Sequence, residues 1–371
     1  MKTLDRIIQQ HRVIICAGSG GVGKTSTAAA VALYAAERGA RAMVLTIDPA
    51  RRLADALGLR QMGGEECIVP VSGSGTLSAL MLDQKGAWDA LVERHAPSPA
   101  VRDRILANRF YQHLSQSFAG SQEYMAIEQL CELYECGRYD LIVVDTPPTQ
   151  HALDFLEAPQ RIADFLDKNV VKWFVRPYFS AGWATFRLVN RTAGVLFRKL
   201  EEATGVAALA EVSDFFTSMA GLFENFEARV RRVYELLRAR QTAFVLVVSP
   251  EEQVLREAEH FCRMVRELRV ALRAVVFNRV HTEHSGARGV LERERLEALV
   301  TRAGGGAATA ALVENFLRFE AVARGDMARI AAFRRRLRKA VAVAEVPNFD
   351  ADLHDVAGLQ RMHRYLFGAA A

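Results

Sequence analysis

No stretch of this sequence approaches the ~20 consecutive apolar residues that a membrane-spanning helix requires, and its first residues carry no signal-peptide core. A cytoplasmic protein is expected, with any membrane contact peripheral and made through a partner. Cysteine is scarce: there are five, an odd number at irregular spacing, which argues against a disulfide framework and fits a reducing compartment. Cys16 and Cys262 read as small core residues. Cys131 and Cys136 neither form C-x-x-C nor sit one turn apart, and His281 and His284 lack carboxylate or cysteine company. Thiol redox chemistry and a built-in metal clasp are not expected. Charge of one sign is lacking too, since 48 Lys and Arg face 43 Asp and Glu, interleaved in a way that makes a solvated surface. The densest basic run, Arg334 to Lys339, has no aromatic residues for base stacking and reads as a charged helix end. No nucleic-acid partner is expected. Internal repeats and low-complexity linkers are also missing.

What is present begins at the apolar run Val13-Ile14-Ile15, which is followed by Gly18-Ser19-Gly20-Gly21-Val22-Gly23-Lys24-Thr25-Ser26 and then by an alanine-rich stretch to Gly39. Strand, glycine loop and helix satisfy G-x-x-x-x-G-K-[ST] in the context that pattern requires. Bare backbone N–H groups must close around phosphate oxygens at a helix N-terminus, so side chains would obstruct and glycines supply the unusual dihedrals. Gly20, Gly21, Val22, Gly23, Lys24, Thr25 and Ser26 are the candidate phosphate contacts. Lys24 should reach the β- and γ-phosphates, and Thr25 should ligate Mg²⁺.

Further strands follow the same logic. Arg41 to Ile47 ends at Asp48-Pro49-Ala50-Arg51-Arg52, a strand-to-loop junction suited to a γ-phosphate-sensing switch. Asp48 there could orient water or hold the metal through a water, and it could equally cap a helix whose first residue is Pro49. Tyr139 to Asp145 is a buried strand with a carboxylate at its carboxyl end, the Walker B form, and Thr146 to His151 suits a second switch. Ala243 to Val248 is another strand, after which Ser249-Pro250-Glu251-Glu252 reads as a capping box of structural value only. A helix to Leu268, a strand from Val270 to Phe277, helices broken at Gly304-Gly305-Gly306 and a strand from Ala340 to Val346 complete the pattern. The fold class predicted is α/β, a P-loop NTPase with a mostly parallel central sheet flanked by helices.

Four blocks, Gly18 to Thr25, Thr46 to Ala50, Val144 to His151 and Val275-Val276-Phe277-Asn278-Arg279, resemble the arsenical-pump ATPase family, which includes the tail-anchored-protein targeting ATPases. The resemblance implies ATP or ADP as ligand, with Asp48 and Lys24 as catalytic residues and Thr25 and Asp145 at Mg²⁺. It further implies that Asn278 reads adenine, and that the loop from Pro347 to Gly358 lines the other side of the base. Three departures stand out. Ser19 occupies the position of the family's signature lysine, which in dimeric relatives reaches the partner's phosphates; Arg51 and Arg52 are the candidate replacements. The zinc-binding C-x-x-C is absent between His281 and Val290, so a zinc-clasped dimer is not expected. Pro147 and Gln150 replace the alanine and glycine that make the second switch more flexible in relatives.

Residues 153–240 form an all-helical insertion between a first nucleotide-binding part, 1–152, and a second, 241–371. Phe216, Met219, Phe223, Phe226, Val230, Val233 and Leu237 make a continuous apolar stripe, widened by Phe215, Leu222 and Leu236. Helix core and a groove that opens with nucleotide state both fit. The expected function is a Mg²⁺-dependent ATPase acting as a dimeric switch, homo- or heteromeric with a related ATPase, that binds and releases a hydrophobic or membrane-directed client. Two alternatives remain, the catalytic subunit of an arsenite or other anion efflux pump, and a nucleotide-gated subunit active only beside a lysine-bearing partner.

Overall fold

The central strand β1, Val13–Ala17, is buried along its whole length. Its side chains alternate between two helical layers: Ile14 and Cys16 face one, Val13, Ile15 and Ala17 the other. A strand covered on both faces has no polar side to show, which is why the run is continuously apolar. In the computed structural model, residues 4–48, 52–60, 62–117, 121–147, 215, 218, 223–284, 293–350, 353 and 355–368 are described. Within them β2 is Arg41–Thr46, β3 Cys67–Val69, β4 Thr76–Met81, β5 Leu141–Asp145, β6 Thr242–Val248, β7 Leu272–Val280 and β8 Ala342–Pro347.

These make one 8-stranded sheet in the order β3-β4-β2-β5-β1-β6-β7-β8. Every pairing is parallel except β3 with β4. The P-loop NTPase sheet expected from the pattern is therefore present, with one short antiparallel edge. Because β5 and β6 flank β1 on opposite sides, connections leave it in both directions and open a crevice at the carboxyl ends.

On one face lies α2, Lys24–Glu37, whose residues from Thr27 to Ala36 are all buried. Alanines let this helix approach the sheet closely. Beside it pack α1, Leu4–Gln10, and α12, Val356–Leu366, where Tyr34 stacks on Phe367 with ring centroids 3.6 Å apart. The intervening helices are α3, Arg52–Ala56; α4, Gln84–His95; α5, Pro99–Ala107; α6, Arg109–Ser117; α7, Ser121–Glu135; α8, Phe223–Arg238; α9, Glu252–Glu267; α10, Arg293–Arg302; and α11, Thr309–Arg336. α7, α8, α9 and α11 cover the second face through residues such as Leu130, Val233, Phe261 and Phe333.

A smaller cluster joins Trp88, Val92, Tyr111 and Met125 to Phe215 and Val230. Phe215, Val230, Val233, Leu236 and Leu237 of the predicted stripe are thus buried in core. The rest of the stripe, and with it the question of a groove in 153–222, falls outside the described side chains. α8 is further tied to α7 by the ion pair of Arg229 Nε with Glu128, both largely buried. Burial pushes the Glu128 carboxyl up, against the pull of Arg229. Among the described residues no helix is long and apolar enough to cross a membrane.

One local expectation fails. Ser249 does not cap α9: the helix begins after Glu251, which makes no side-chain cap bond, and Ser249 Oγ instead donates to Glu251 Oε1 at 3.3 Å. The reason is tertiary. The Pro250 carbonyl accepts Arg329 Nε of α11 at 2.6 Å, which holds the chain extended past the point where a capping box would start the helix. For Asp48, the helix cap with Pro49 involves residues outside those described.

Candidate active site

The glycine loop leaves β1 and is closed in by strand and helix neighbours. A β-carbon at Gly18 would sit 2.1 Å from the Val247 carbonyl of β6. Gly23, at φ +90°, is the N-cap of α2 and makes no side-chain cap bond, so the first amides of α2 remain available to an anion. Lys24, the first residue of the helix, folds back so that its Nζ donates to the Ser19 carbonyl at 2.9 Å. Thr25 Oγ1 donates to Asp145 Oδ2 at 2.8 Å, and Thr46 Oγ1 donates to the same oxygen at 3.0 Å. Asp145 Oδ1 is buried without a hydrogen-bond partner.

Lys24 and Thr25 line a cleft of about 530 Å³ at the carboxyl ends of the strands, and Asp145 is joined to it through Thr25. Gly21, Gly23, Lys24, Thr25 and Ser26 form its floor, and Asp48, Arg52 and Thr146 one wall. Asn278, Arg279, Pro347, Asn348, Phe349 and Leu353 also line it, with Asn278 Nδ2 donating to the Val22 carbonyl of the loop. The lining thus combines phosphate chemistry with a ring, an aliphatic side chain and an amide.

Residues 11–299 match the family of anion-transporting ATPases. The chain belongs to that family. It is 28% identical over 285 residues to the ATPase GET3 of Malassezia globosa, covering 75% of this chain and 76% of that one. Against the ATPase get3 of Aspergillus niger the figures are 26% over 307 residues, with 80% and 84% covered. A shorter match, 34% over 172 residues, joins it to the ATPase get3 of Aspergillus terreus, covering 45% of this chain and 49% of that one. The chain is accordingly an ATPase that binds nucleotide.

In this ATPase the electrostatics around Lys24 and Asp145 are strongly shaped by burial. The Asp145 carboxyl is pushed up to about 6, because burial penalises its charged form more than Thr25, Lys24 and Thr46 favour it. Burial likewise pulls the Lys24 ammonium below its ordinary value, opposed by Asp145 and Asp48. An orphaned carboxylate oxygen, next to a hydroxyl that shares its partner oxygen, fits the hard-oxygen donor set of Mg²⁺. Asp48 contacts Arg52 more loosely, with Nη1 to Oδ2 at 3.8 Å.

Several predicted residues sit differently from their simplest picture. Val22 is buried, and its carbonyl accepts Asn278 Nδ2 at 2.8 Å. The amide expected to read a base thus closes on the loop in this structure. Ser19 is buried and its Oγ donates to Glu257 Oε2 of α9 at 2.5 Å, while Arg51 lies outside the described residues. Gly20 is not among the lining residues.

Three contacts had no counterpart in the sequence pattern. Thr46 is opposite Asp145 because β2 and β5 pair in that register. Gln122 of α7 donates to the Ile47 carbonyl at 2.7 Å, and the Ile47 amide donates to the Asp145 carbonyl at 3.1 Å. The backbone just before Asp48 is therefore clamped between β5 and α7.

Proposed function

We propose that this ATPase is Mg²⁺-dependent and works as a dimeric nucleotide switch, coupling hydrolysis to binding and release of a hydrophobic or membrane-directed client through residues 153–240. The observation that carries the reading is the convergence of Lys24, Thr25 and Asp48, with Asp145 bonded to Thr25, on a single cleft that Asn278 and Pro347 also line. Loop amides and Lys24 neutralise the charge on the transferring phosphoryl group. Thr25 and Asp145 would hold Mg²⁺, which would supply further neutralisation of phosphate charge. Asp48 orients the attacking water, and Asn278 with Pro347 borders adenine.

The switch follows from connectivity. Asp48 follows Ile47, whose carbonyl is held by α7, and α7 carries Glu128, paired with Arg229 of the helix that closes the insertion. A γ-phosphate that moves Asp48 moves the end of α7, and so the helical part. We assign 1–152 and 241–371 to the nucleotide-binding body and 153–240 to the client-responsive part. Its place is peripheral to a membrane, reached through a partner.

A second reading rests on Ser19, which is short and held by Glu257. It offers no cation to a partner's phosphates, which favours a subunit that needs a lysine-bearing companion for full activity. An arsenite pump has less support, since Cys16, Cys131 and Cys262 are buried apart in the core.

The test is hydrophobic-dye binding and dimer mass measured in ADP and in a non-hydrolysable ATP analogue. Both are expected to change with nucleotide. Indifference of dye and mass alike would sink the switch.

A further inference from the structure

Strand β7 does not run straight through its end. Its pairing with β8 shifts register between Phe277 and Val280, and Arg279 sits at φ +57°, a left-handed conformation that costs a side chain about 1–2 kcal/mol. Asn278 and Arg279 both face the cleft, so this bulge aims them. Strain of this kind persists only where neighbours over-determine it.

The neighbours are few and specific. The Asn348 amide donates to the Val280 carbonyl at 2.9 Å. One residue on, the His281 amide donates to Asp326 Oδ2 at 3.1 Å, and His281 Nδ1 lies 2.8 Å from the same oxygen. The other oxygen, Asp326 Oδ1, accepts Arg329 Nη2 at 2.7 Å. Arg329 Nε in turn donates to the Pro250 carbonyl just past the end of β6. Asp326 is only 4% exposed and sits mid-helix, where aspartate is a poor choice on propensity alone.

Two explanations compete for this carboxylate. As a helix anchor it is redundant, because Ile330 and Phe333 of α11 already bury against the sheet, and a buried ion pair is weak evidence for stability. As a crosslink it is well placed, since it holds His281 just past the end of β7 and, through Arg329, the Pro250 carbonyl past the end of β6. The bonds at the phosphate loop, Lys24 to Ser19 and Thr25 to Asp145, do not involve it.

We propose that Asp326 is a positioning residue for base recognition: through His281 and Arg329 it fixes the strained Asn278-Arg279 turn that lines the cleft. The inference rests on the adenine-nucleotide reading and assigns base discrimination to a residue that touches no nucleotide. Its own bonds go to His281 and Arg329 and to no residue of the phosphate loop.

The experiment titrates ADP, GDP and pyrophosphate against wild type, Asp326→Ala, Asp326→Asn and His281→Ala. Asp326→Ala removes all three bonds and is expected to weaken ADP roughly tenfold or more, the scale of losing charge-assisted hydrogen bonds, and to erode the preference for ADP over GDP. Pyrophosphate, which needs only the loop and Lys24, should change by less than about twofold. Asp326→Asn keeps the shape and one acceptor and should fall between. A fold-wide defect would weaken ADP and pyrophosphate in parallel, and that result, or variants binding ADP as the wild type does, would overturn the proposal. Wild-type protein that binds ADP no better than GDP would instead overturn the adenine reading beneath it.

Discussion

Lys24→Ala is expected to lower ATP hydrolysis by about 10²–10³-fold, the cost of removing one preorganised charge from a transition state, and to weaken ATP binding as well. Lys24 is buried at the head of α2, with its ammonium already turned back over the loop onto the Ser19 carbonyl. Among the described residues lining the cleft the other positive side chains are Arg279 and Arg52, and Arg52 is engaged with Asp48. Losing Lys24 also removes one of the charges that favour ionised Asp145, so the carboxyl should be held higher still. Anisotropy of a fluorescent ATP analogue measures the binding loss, and released phosphate measures the rate.

Asp145→Asn should separate stability from activity by moving them in opposite directions. The Asp145 carboxyl rises from 3.8 to about 6 on folding. A carboxyl raised by the fold contributes its stability fully while protonated, below its unfolded value, and loses that contribution as pH rises through the folded value. Asparagine has no charge to bury and keeps an oxygen for Thr25 and Thr46, so the nucleotide-free variant should melt higher than wild type above about pH 6. The gain is on the order of 1–3 kcal/mol and should vanish toward acid pH. Mg²⁺-dependent hydrolysis should fall by about 10²-fold or more, because an amide oxygen is a weaker ligand for a hard cation. Thermal melts across pH, paired with phosphate release, read both effects. A variant that melts lower than wild type at neutral pH would contradict the electrostatic account.

Much of this site was legible because its signals are local. Val13-Ile14-Ile15 and Leu141 to Val144 are apolar on both faces and could only be central strands of a covered sheet. Lys24, Thr25 and Asp145 follow from where such strands end. The loop after Pro347 was legible only by resemblance, and Asn348, Phe349 and Leu353 do line the cleft. Contacts between distant residues left no trace in any window of sequence. Ser19 meets Glu257, Gln122 meets the Ile47 carbonyl and His281 meets Asp326, each pair joined only by the order of strands and the docking of helices. Thr46 is an intermediate case: once β2 and β5 are known to be neighbours, its register opposite Asp145 follows. The failed cap at Ser249 shows the same limit, because a correct local motif yielded to a bond made by Arg329 from another helix.

We propose that this chain is itself a switch ATPase whose water-orienting carboxylate is Asp48. Phosphate release from saturating Mg-ATP by the purified wild type, set beside Asp48→Asn with binding of the ATP analogue measured in both, tests it most directly. Steady turnover by the wild type, and a variant that binds ATP normally yet hydrolyses it about 10²-fold or more slowly, is the predicted result. Wild-type protein that releases phosphate no faster than Asp48→Asn while binding ATP would contradict it.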